Sequence, residues 1–168
     1  MALFPPGKGG GENVDYGYKG KGVTIHSLVD GQGMPLSICS TSAKIYEPKM
    51  VENLLNNILL LHGKVGAPRK RPVTLQADAG YDTKPLRKKL KSRGIKAQIS
   101  INRRRSKRKR PGRPFAKPVD RWKCERTFAW LQRKFRRLVV RWERRDIYWQ
   151  GFLSFAFCFM WMERILVG

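Results

Sequence analysis

Acidic residues are scarce in this chain, which has 12 Asp and Glu against 36 Lys and Arg and a formal net charge of +24 over 168 residues. A field of this sign and strength disfavours a neutral small-molecule substrate and favours a polyanionic partner, with nucleic acid as the leading candidate. Of the 36 basic residues, 29 lie between Arg69 and Arg145, together with only five acids. The charge therefore predicts one strongly basic binding side.

Cysteine is also scarce. Cys39, Cys124 and Cys158 are widely spaced and match no CxxC pattern, which argues against a zinc finger and a disulfide framework and indicates a reducing compartment, with the three thiols as packing residues. The first residues do not have the pattern of a secretory signal. The apolar stretch 147–162 contains polar residues and is shorter than the ~20 residues that a bilayer requires, so we expect a cytoplasmic protein with no membrane partner.

The chain is long enough for one domain of ordinary size, and its pattern predicts an α/β domain over residues 1–168. Apolar residues alternate in the predicted strands and recur at helical spacing in the predicted helices. A glycine-rich turn over Asp30–Gly33 predicts an antiparallel hairpin. The predicted order is a loop over 5–22, strands over 23–29 and 35–39, a helix over 47–62, a strand over 72–77, a helix from Asp82 or Thr83 to Gly94, a strand over 95–101, a basic loop over 102–118, a long helix from about Val119 or Asp120 and a last helix over 147–166.

The basic loop has no apolar periodicity, and seven of the eight residues from Arg103 to Arg110 are Arg or Lys. A merely solvated, mobile loop would explain such a run. Its charge density favours contact with phosphates instead, because neutralising several phosphates releases counterions and makes binding strongly dependent on salt. We therefore predict nucleic-acid binding by Arg103, Arg104, Arg105, Lys107, Arg108, Lys109 and Arg110.

Carboxylates are the residues to sort next, because phosphodiester chemistry on nucleic acid commonly uses them to hold divalent metals. Asp30 is explained by its turn, and Asp82 and Asp120 by the starts of helices. Asp146 lies at a helix junction, where it is a candidate cap, and Glu143 lies among arginines as a candidate surface ion pair. Asp30, Asp82 and Asp120 therefore need no chemical role.

Two acids stand apart. Asp78 follows a predicted strand at its carboxyl end, where open α/β sheets place ligands, and the next residues, Ala79-Gly80, allow a sharp turn. Glu125 lies one helical turn after Arg121, on the same face of the long helix. A surface i,i+4 ion pair explains Glu125 equally well, and a strand end explains Asp78, so spacing alone leaves both interpretations open.

Two blocks of the sequence together match a known pattern: residues 77–82 with Leu86-Arg87 and Gly94-Ile95, and residues 121–131 with 135–138 and 141–144. They resemble the DDE transposases of bacterial insertion sequences of the insertion-sequence-five type. The first block is similar to the one that holds the family's second aspartate, and the second to the family's glutamate helix through nearly its whole length. Residues 6–12 and 26–31 resemble the segments before and within the family's early hairpin, so the resemblance covers most of the chain.

The resemblance implies an RNase H-like fold in which an Asp, Asp, Glu triad binds two Mg²⁺ (or Mn²⁺) ions and cuts and rejoins DNA at the ends of the element. On this chain Asp78 would be the second acid and Glu125 the third, both as catalytic metal ligands. Arg121 matches the arginine four residues before the family's glutamate and would contact DNA phosphate. Further DNA contacts are expected from four basic residues of the same helix, Lys123, Arg126, Arg133 and Lys134. The resemblance also implies a protein that forms homo-oligomers on nucleoid DNA.

The chain also departs from the family pattern. Gln132 replaces a lysine and Pro118 a tyrosine of the helix signature, which weakens the DNA-contact assignments and leaves the metal ligands unaffected. The family's first aspartate lies just upstream of the glycine segment Gly7–Gly11, where this chain has no Asp. Asp15 is the nearby substitute, although it follows that segment instead of preceding it.

In RNase H-like sheets the strand with the first aspartate lies between the early hairpin and the later parallel strands. Without that strand two sheet edges lack backbone partners, so we expect an N-terminally truncated domain that is marginally stable and inactive when isolated. An upstream polypeptide segment, supplied by ribosomal frameshifting between overlapping reading frames, would complete the site. A decayed element is the other explanation.

Several further features have ordinary explanations. The spacing of Gly7–Gly11 is not that of a phosphate-binding P-loop, so a flexible loop near DNA is the better prediction. His26 and His62 have no partners at metal-ligand spacing and are expected to be packed or solvent-exposed. Core burial is favoured over base stacking for most of the three tryptophans Trp122, Trp130 and Trp142.

Three functions remain in competition. The first is a metal-dependent transposase that is complete only with an upstream segment. The second is a basic DNA- or RNA-binding module without chemistry, such as a transposase remnant or regulator, and it differs from the first in having no need for Asp78 and Glu125. A ribosome-associated basic protein accounts for the charge but not for the glutamate helix.

Overall fold

The computed structural model describes residues 2–58, 71–102 and 120–167. They form a mixed α/β structure in which the predicted order of strands and helices is largely confirmed. Short 3₁₀ turns occur at Glu47–Lys49, Ala79–Tyr81 and Arg136–Leu138. The main elements are β1 (Ala2–Leu3), β2 (Asp15–Gly17), β3 (Gly20–Val29), β4 (Pro35–Ser42), α1 (Met50–Asn56), β5 (Thr74–Ala77), α2 (Lys84–Ser92), β6 (Lys96–Ile99), α3 (Arg121–Lys134) and α4 (Asp146–Leu166).

The predicted hairpin is confirmed and is longer than expected. β3 and β4 pair antiparallel from Val23 opposite Ser42 to Leu28 opposite Ser37. Asp30 closes the connecting turn, since its carboxylate accepts hydrogen bonds from the backbone N–H groups of Gln32 and Met34, each at 2.8 Å. An aspartate that bonds to backbone N–H groups shortly after it is a common way of fixing a tight turn.

The prediction of a simple loop over residues 5–22 was wrong. β2 pairs with the start of β3, and β1 pairs antiparallel with β3 through Ala2 opposite His26 and Leu3 opposite Ile25. Between them, Pro5 accepts a hydrogen bond from the Val23 N–H at 3.1 Å. The segment is held by backbone hydrogen bonds, which leave no apolar periodicity in the sequence. The hydrophobic pattern therefore did not predict these strands.

β5 and β6 form a two-stranded parallel sheet, with α2 as the connection between them. Of the two candidate caps for α2, Thr83 has the role, because its hydroxyl accepts from the Leu86 N–H at 3.3 Å. Asp82 instead accepts from Arg87 Nε at 2.7 Å and from the Asn102 N–H at 2.9 Å. The predicted strand over 95–101 ends at Ile99.

The helix predicted over 47–62 starts as a 3₁₀ turn that contains Pro48 and continues as α1 to Asn56. Ile58 is still buried. The rest of that predicted helix, including His62, lies outside the described residues, and so does the basic run Arg103–Arg110. The final helix is confirmed as α4, and no helix in the described parts of the chain is long and apolar enough to cross a membrane.

Two apolar cores correspond to the two sheets. In the first, α3 and α4 pack on the hairpin, with Trp149 and Leu153 fully buried beside Val23. In the second, α1 and α2 pack on the parallel strands around Leu55 and Leu90. Burying each such side chain contributes roughly 1.5–3 kcal/mol, so these two clusters account for most of the attraction that holds the elements together.

A buried ionic network occupies the connection between α3 and α4. Arg141 is fully buried and donates to Asp146 Oδ1 at 3.0 Å and to the Glu143 carbonyl at 3.0 Å. Glu143 was expected at the surface but is buried, with Arg137 Nε 2.6 Å from its carboxylate. Asp146 was a candidate cap, but it is the first residue of α4: its carboxylate accepts from Arg141, and its own N–H donates to Glu12 Oε2 at 2.8 Å.

The glycine segment packs against this network and is not the flexible loop that was predicted. The Gly9 N–H donates to the Arg141 carbonyl at 3.4 Å, and the Glu12 N–H to the Arg144 carbonyl at 2.8 Å. A Cβ atom on Gly9 would overlap the Trp142 carbonyl, and one on Gly11 would overlap that of Arg144. The glycines are therefore required by close backbone approach.

Several single-residue predictions can now be compared with the structure. His26 is buried and hydrogen-bonded to Thr41 Oγ1 at 2.8 Å, as packing predicts. Cys39 and Cys124 are partly buried, but Cys158 is exposed and is not a packing residue. Core burial was wrong for Trp122 and Trp142, which are both more than half exposed, while Trp130 is partly buried as the same prediction expected.

Candidate functional site

Asp78 lies where β5 ends and the chain turns. Its Oδ1 accepts a hydrogen bond from the Gly80 N–H at 3.0 Å and so caps the 3₁₀ turn Ala79–Tyr81. This leaves Oδ2 facing away from the turn bond and available to another group. The strand end and the tight turn together fix the position of the carboxylate at the carboxyl edge of the parallel sheet.

Glu125 lies on the first turns of α3, four residues after Arg121. The guanidinium of Arg121 approaches Glu125 Oε1 at 3.7 Å through Nη2 and Asp78 Oδ2 at 3.8 Å through Nη1. All three side chains remain partly exposed. The fold therefore brings the two acids singled out from the sequence to opposite sides of one cationic group, although they belong to different elements.

A groove of about 250 Å³ opens beside these residues. One wall is the end of β3 from Ser27 to Gly31, the other is β5 up to Asp78, and the start of α3 from Asp120 to Cys124 closes one end. Among the described strands, β5 pairs only with β6, and β3 has no partner beyond His26 on the edge opposite β4. The groove thus separates two sheet edges whose strands are not hydrogen-bonded to each other.

Polar and ionisable groups in and near the groove were not identified from the sequence. Ser27 Oγ is buried with no hydrogen-bond partner in the described structure. Burial raises the pKa of the Cys124 thiol, which keeps it protonated. Burial and the nearby Glu47 carboxylate raise the pKa of Tyr81, whose hydroxyl donates to Glu47 Oε2 at 2.9 Å and holds the turn after Asp78 against the 3₁₀ turn Glu47–Lys49. No sequence motif signals these long-range contacts.

The basic residues of α3 divide into two groups. Lys123 pairs with Asp120 at 2.8 Å and lines the groove, and Arg126 donates to the Gln32 carbonyl and lies 4.9 Å from the centre of the Trp122 ring. Lys134 is instead at the far end of α3, where it pairs with Glu163 and lies 4.8 Å from the Trp130 ring centre. Arg133 is exposed nearby. The predicted DNA-contact residues are therefore not one cluster.

Asp15 does not supply the missing first acid at this site. Its carboxylate accepts from Ser42 Oγ at 2.6 Å and from Lys44 Nζ at 2.7 Å. It is opposite Gly22 at the start of β3, whereas the groove is lined by the other end of that strand, roughly 20 Å away at 3.3 Å per residue. No group of three acidic, histidine or cysteine side chains that could hold a metal occurs in the parts of the chain that the structure describes.

Comparison with known proteins gives a family for this arrangement. A model of the transposase DDE domain matches residues 4–161, so the chain belongs to the DDE transposase domain family. It is 35% identical over 133 residues to a Burkholderia cepacia protein named "Putative transposase for insertion sequence element IS402". That match covers 79% of this chain and 59% of the relative, so the chain spans about three fifths of that protein's length. No solved structure gives a significant match.

Proposed function

We propose that this chain acts in DNA transposition, as the part of an insertion-sequence transposase that supplies two of three catalytic carboxylates within an RNase H-like fold. The observation that carries the proposal is the convergence of Asp78 and Glu125 on one guanidinium at the mouth of the groove. The family match and the IS402 relative support a role in DNA transposition. The reaction that we propose is cleavage of DNA strands at the element ends and their transfer to a target.

The donor set fits a hard divalent cation. Mg²⁺ and Mn²⁺ favour carboxylate oxygens, and Mg²⁺ is typically held by one or two carboxylates together with waters and substrate phosphates. Asp78 Oδ2 and the Glu125 carboxylate would be the ligands, with Arg121 displaced toward DNA phosphate. When bound, the metal would supply activation of the attacking oxygen and stabilisation of the leaving oxygen.

The groove supports an upstream segment as the source of the missing acid. β1 runs antiparallel to β3, so residues preceding Ala2 in the same direction would continue along Ser27, Leu28 and Val29. The same path lies beside the edge of β5 that pairs with no strand among the described residues, and Asp78 directly follows β5. A strand in this position would pair with both edges, and we propose that it carries the first aspartate. We also propose that ribosomal frameshifting joins this upstream segment to the chain.

DNA is the proposed partner of the basic surface. Arg121, Lys123 and Arg126 lie beside the groove, and the run Arg103–Arg110 precedes α3 in the sequence. Phosphate neutralisation by such a set makes affinity fall steeply with salt. We further propose homo-oligomers on DNA in the cytoplasm, at the nucleoid.

The test uses the chain with the DNA-encoded upstream segment restored and a substrate that carries the element's ends, with Mg²⁺ or Mn²⁺. Asp78→Asn and Glu125→Gln are expected to lower cleavage by at least about a hundredfold and to leave DNA affinity within about threefold, because they remove metal ligands and not phosphate contacts. Asp120→Asn is the matched control, since Asp120 also lines the groove but pairs with Lys123.

The alternative is a basic DNA-binding module without chemistry, such as a transposase remnant. The extreme charge favours it equally. If no metal-dependent cleavage appears with the upstream segment restored, while salt-sensitive DNA binding persists, the enzyme proposal fails and this alternative stands.

A further inference from the structure

One side of α4 is apolar and exposed along its whole length. Tyr148, Phe155, Met162 and Ile165 are 57%, 61%, 53% and 75% exposed, and Gly151 and Cys158 on the same line are exposed as well. The positions of this line, which we call the α4 stripe, are 148, 151, 155, 158, 162 and 165. Their spacing alternates between three and four residues, which is the heptad spacing of a helix that packs against another helix.

Large and small side chains alternate along the α4 stripe. Tyr148, Phe155 and Met162 occupy one set of heptad positions. The other set is Gly151, Cys158 and Ile165, of which only Ile165 is large. In an antiparallel pair of helices each position of one set meets a position of the other set. A second copy of α4 would therefore set Phe155 against Cys158 and Met162 against Gly151, large on small, and Tyr148 against Ile165, two large side chains, at each end. A parallel pair would set Gly151 against Gly151 and leave a void.

Charge also favours a second copy as the occupant. No charged residue occurs from Ile147 to Met162, although the chain carries a net charge of +24. Two copies repel each other over most of their surfaces, and this stripe is a place where they can meet without opposing like charges. In the antiparallel arrangement Arg145, which precedes α4, lies beside the other copy's helix end, where free carbonyls carry partial negative charge.

The exposed area is sufficient for a specific contact. Large side chains of roughly 150–250 Å² each, about half exposed along the stripe and its flanks Phe152 and Leu166, offer on the order of 600 Å² per copy. Specific dimers bury about 800 Å² per partner, with the lower end of the range near 600 Å². Apolar patches of this size on a monomer are typical of interaction sites.

We propose that two copies of this chain associate through antiparallel α4 helices, with the α4 stripe of one packed on that of the other. The proposal goes beyond the transposase assignment and does not depend on catalysis or on DNA. It requires only the exposed face and its alternation of side-chain size.

The first experiment is sedimentation equilibrium of the nuclease-treated 168-residue chain in about 1 M salt, where charges are screened over ~3 Å. We expect twice the 19.4 kDa mass of one chain. Phe155→Glu should weaken the dimer at least tenfold, whereas Tyr18→Glu, at a fully exposed aromatic in the turn between β2 and β3, should not change it. Circular dichroism verifies that both variants keep their helices. A wild-type chain that remains monomeric, or a Phe155→Glu dimer as tight as wild type, overturns the proposal.

A second experiment tests the pairing itself. A Cβ atom at Gly151 meets nothing within 4 Å in one copy, and the position is exposed, so we expect Gly151→Leu to be compatible with the folded chain. In the antiparallel pair it would collide with Met162 of the other copy and weaken association, and adding Met162→Ala should restore it. Restoration supports the proposed pairing. Failure to restore, or a tighter dimer with Gly151→Leu alone, rejects the antiparallel arrangement.

Discussion

Arg121 contacts Asp78 across the boundary between α3 and the parallel sheet, with Nη1 3.8 Å from Oδ2. The same guanidinium reaches Glu125 one turn along its own helix. The Arg121 guanidinium thus lies between the two carboxylates. Among the described residues, no other basic side chain forms an ion pair with Asp78 or Glu125. The contact explains how two partly exposed carboxylates remain close without repelling each other, and it makes Arg121 a competitor for any metal that binds them.

Arg121→Gln is expected to tighten Mn²⁺ binding to the DNA-free protein by up to about fivefold. The reason is that the variant removes a charge that opposes a divalent cation, and exposed ion pairs of this kind contribute about 0.2–1 kcal/mol. Titration followed by electron paramagnetic resonance measures the free metal. Lys123→Gln is the control, because Lys123 lines the same groove but pairs with Asp120. Unchanged or weaker Mn²⁺ binding in Arg121→Gln alone would argue against a metal between the two acids.

The candidate site was predictable from the sequence only in part. Asp78 and Glu125 were recognisable because a strand end and a helix signature surround them, and those signals are local. The bridging contact of Arg121 to Asp78 joins elements separated by α2 and β6, and no periodicity encodes such a contact. The family resemblance led us to expect two unpaired sheet edges. It did not predict the groove between them, because a groove depends on how distant elements pack.

The fold shows the same division. Strands and helices with apolar periodicity, such as β3 and α4, were found almost to their ends. The N-terminal segment was missed because backbone pairs and close glycine contacts hold it, as Pro5 and Gly9 show. Glu143 was assigned to the surface and Asp146 to a helix cap, because charged residues are usually found in such places. Arg141, which bonds to both residues, is buried, but it lies in an arginine-rich stretch of the sequence that gives no sign of burial.

Gly9→Ala should destabilise the chain by roughly 1–3 kcal/mol, since its Cβ would overlap the Trp142 carbonyl and a backbone atom must move. Gly31→Ala is the matched control, because a Cβ there meets nothing within 4 Å. Urea unfolding followed by tryptophan fluorescence gives both free energies. Equal effects of the two substitutions would mean that the glycine segment is not packed as described.

Arg141→Met should lower the free energy of unfolding by roughly 3 kcal/mol. The substitution keeps most of the buried side-chain volume but leaves the Asp146 carboxylate without its cation, and breaking a buried pair from one side is strongly destabilising. Arg133→Met, on the exposed face of α3, should change the same free energy by less than about 0.5 kcal/mol. A double-mutant cycle with Asp146→Ala gives the coupling, and additive effects of the two substitutions would show that the pair contributes nothing.

His26 predicts how stability depends on pH. Burial lowers the pKa of its imidazole from the ordinary value of 6.5 to about 4, so the folded chain favours the neutral ring that bonds to Thr41. The unfolded chain then binds more protons between these values, and stability present above pH 6.5 is lost as the pH falls toward 4, by about 2 kcal/mol at pH 5. Urea unfolding of the wild type and of His26→Gln from pH 7.5 to 4.5 measures this loss. The variant should show a flatter profile in that window, and parallel profiles would mean that the imidazole is protonated in the folded chain or is not buried.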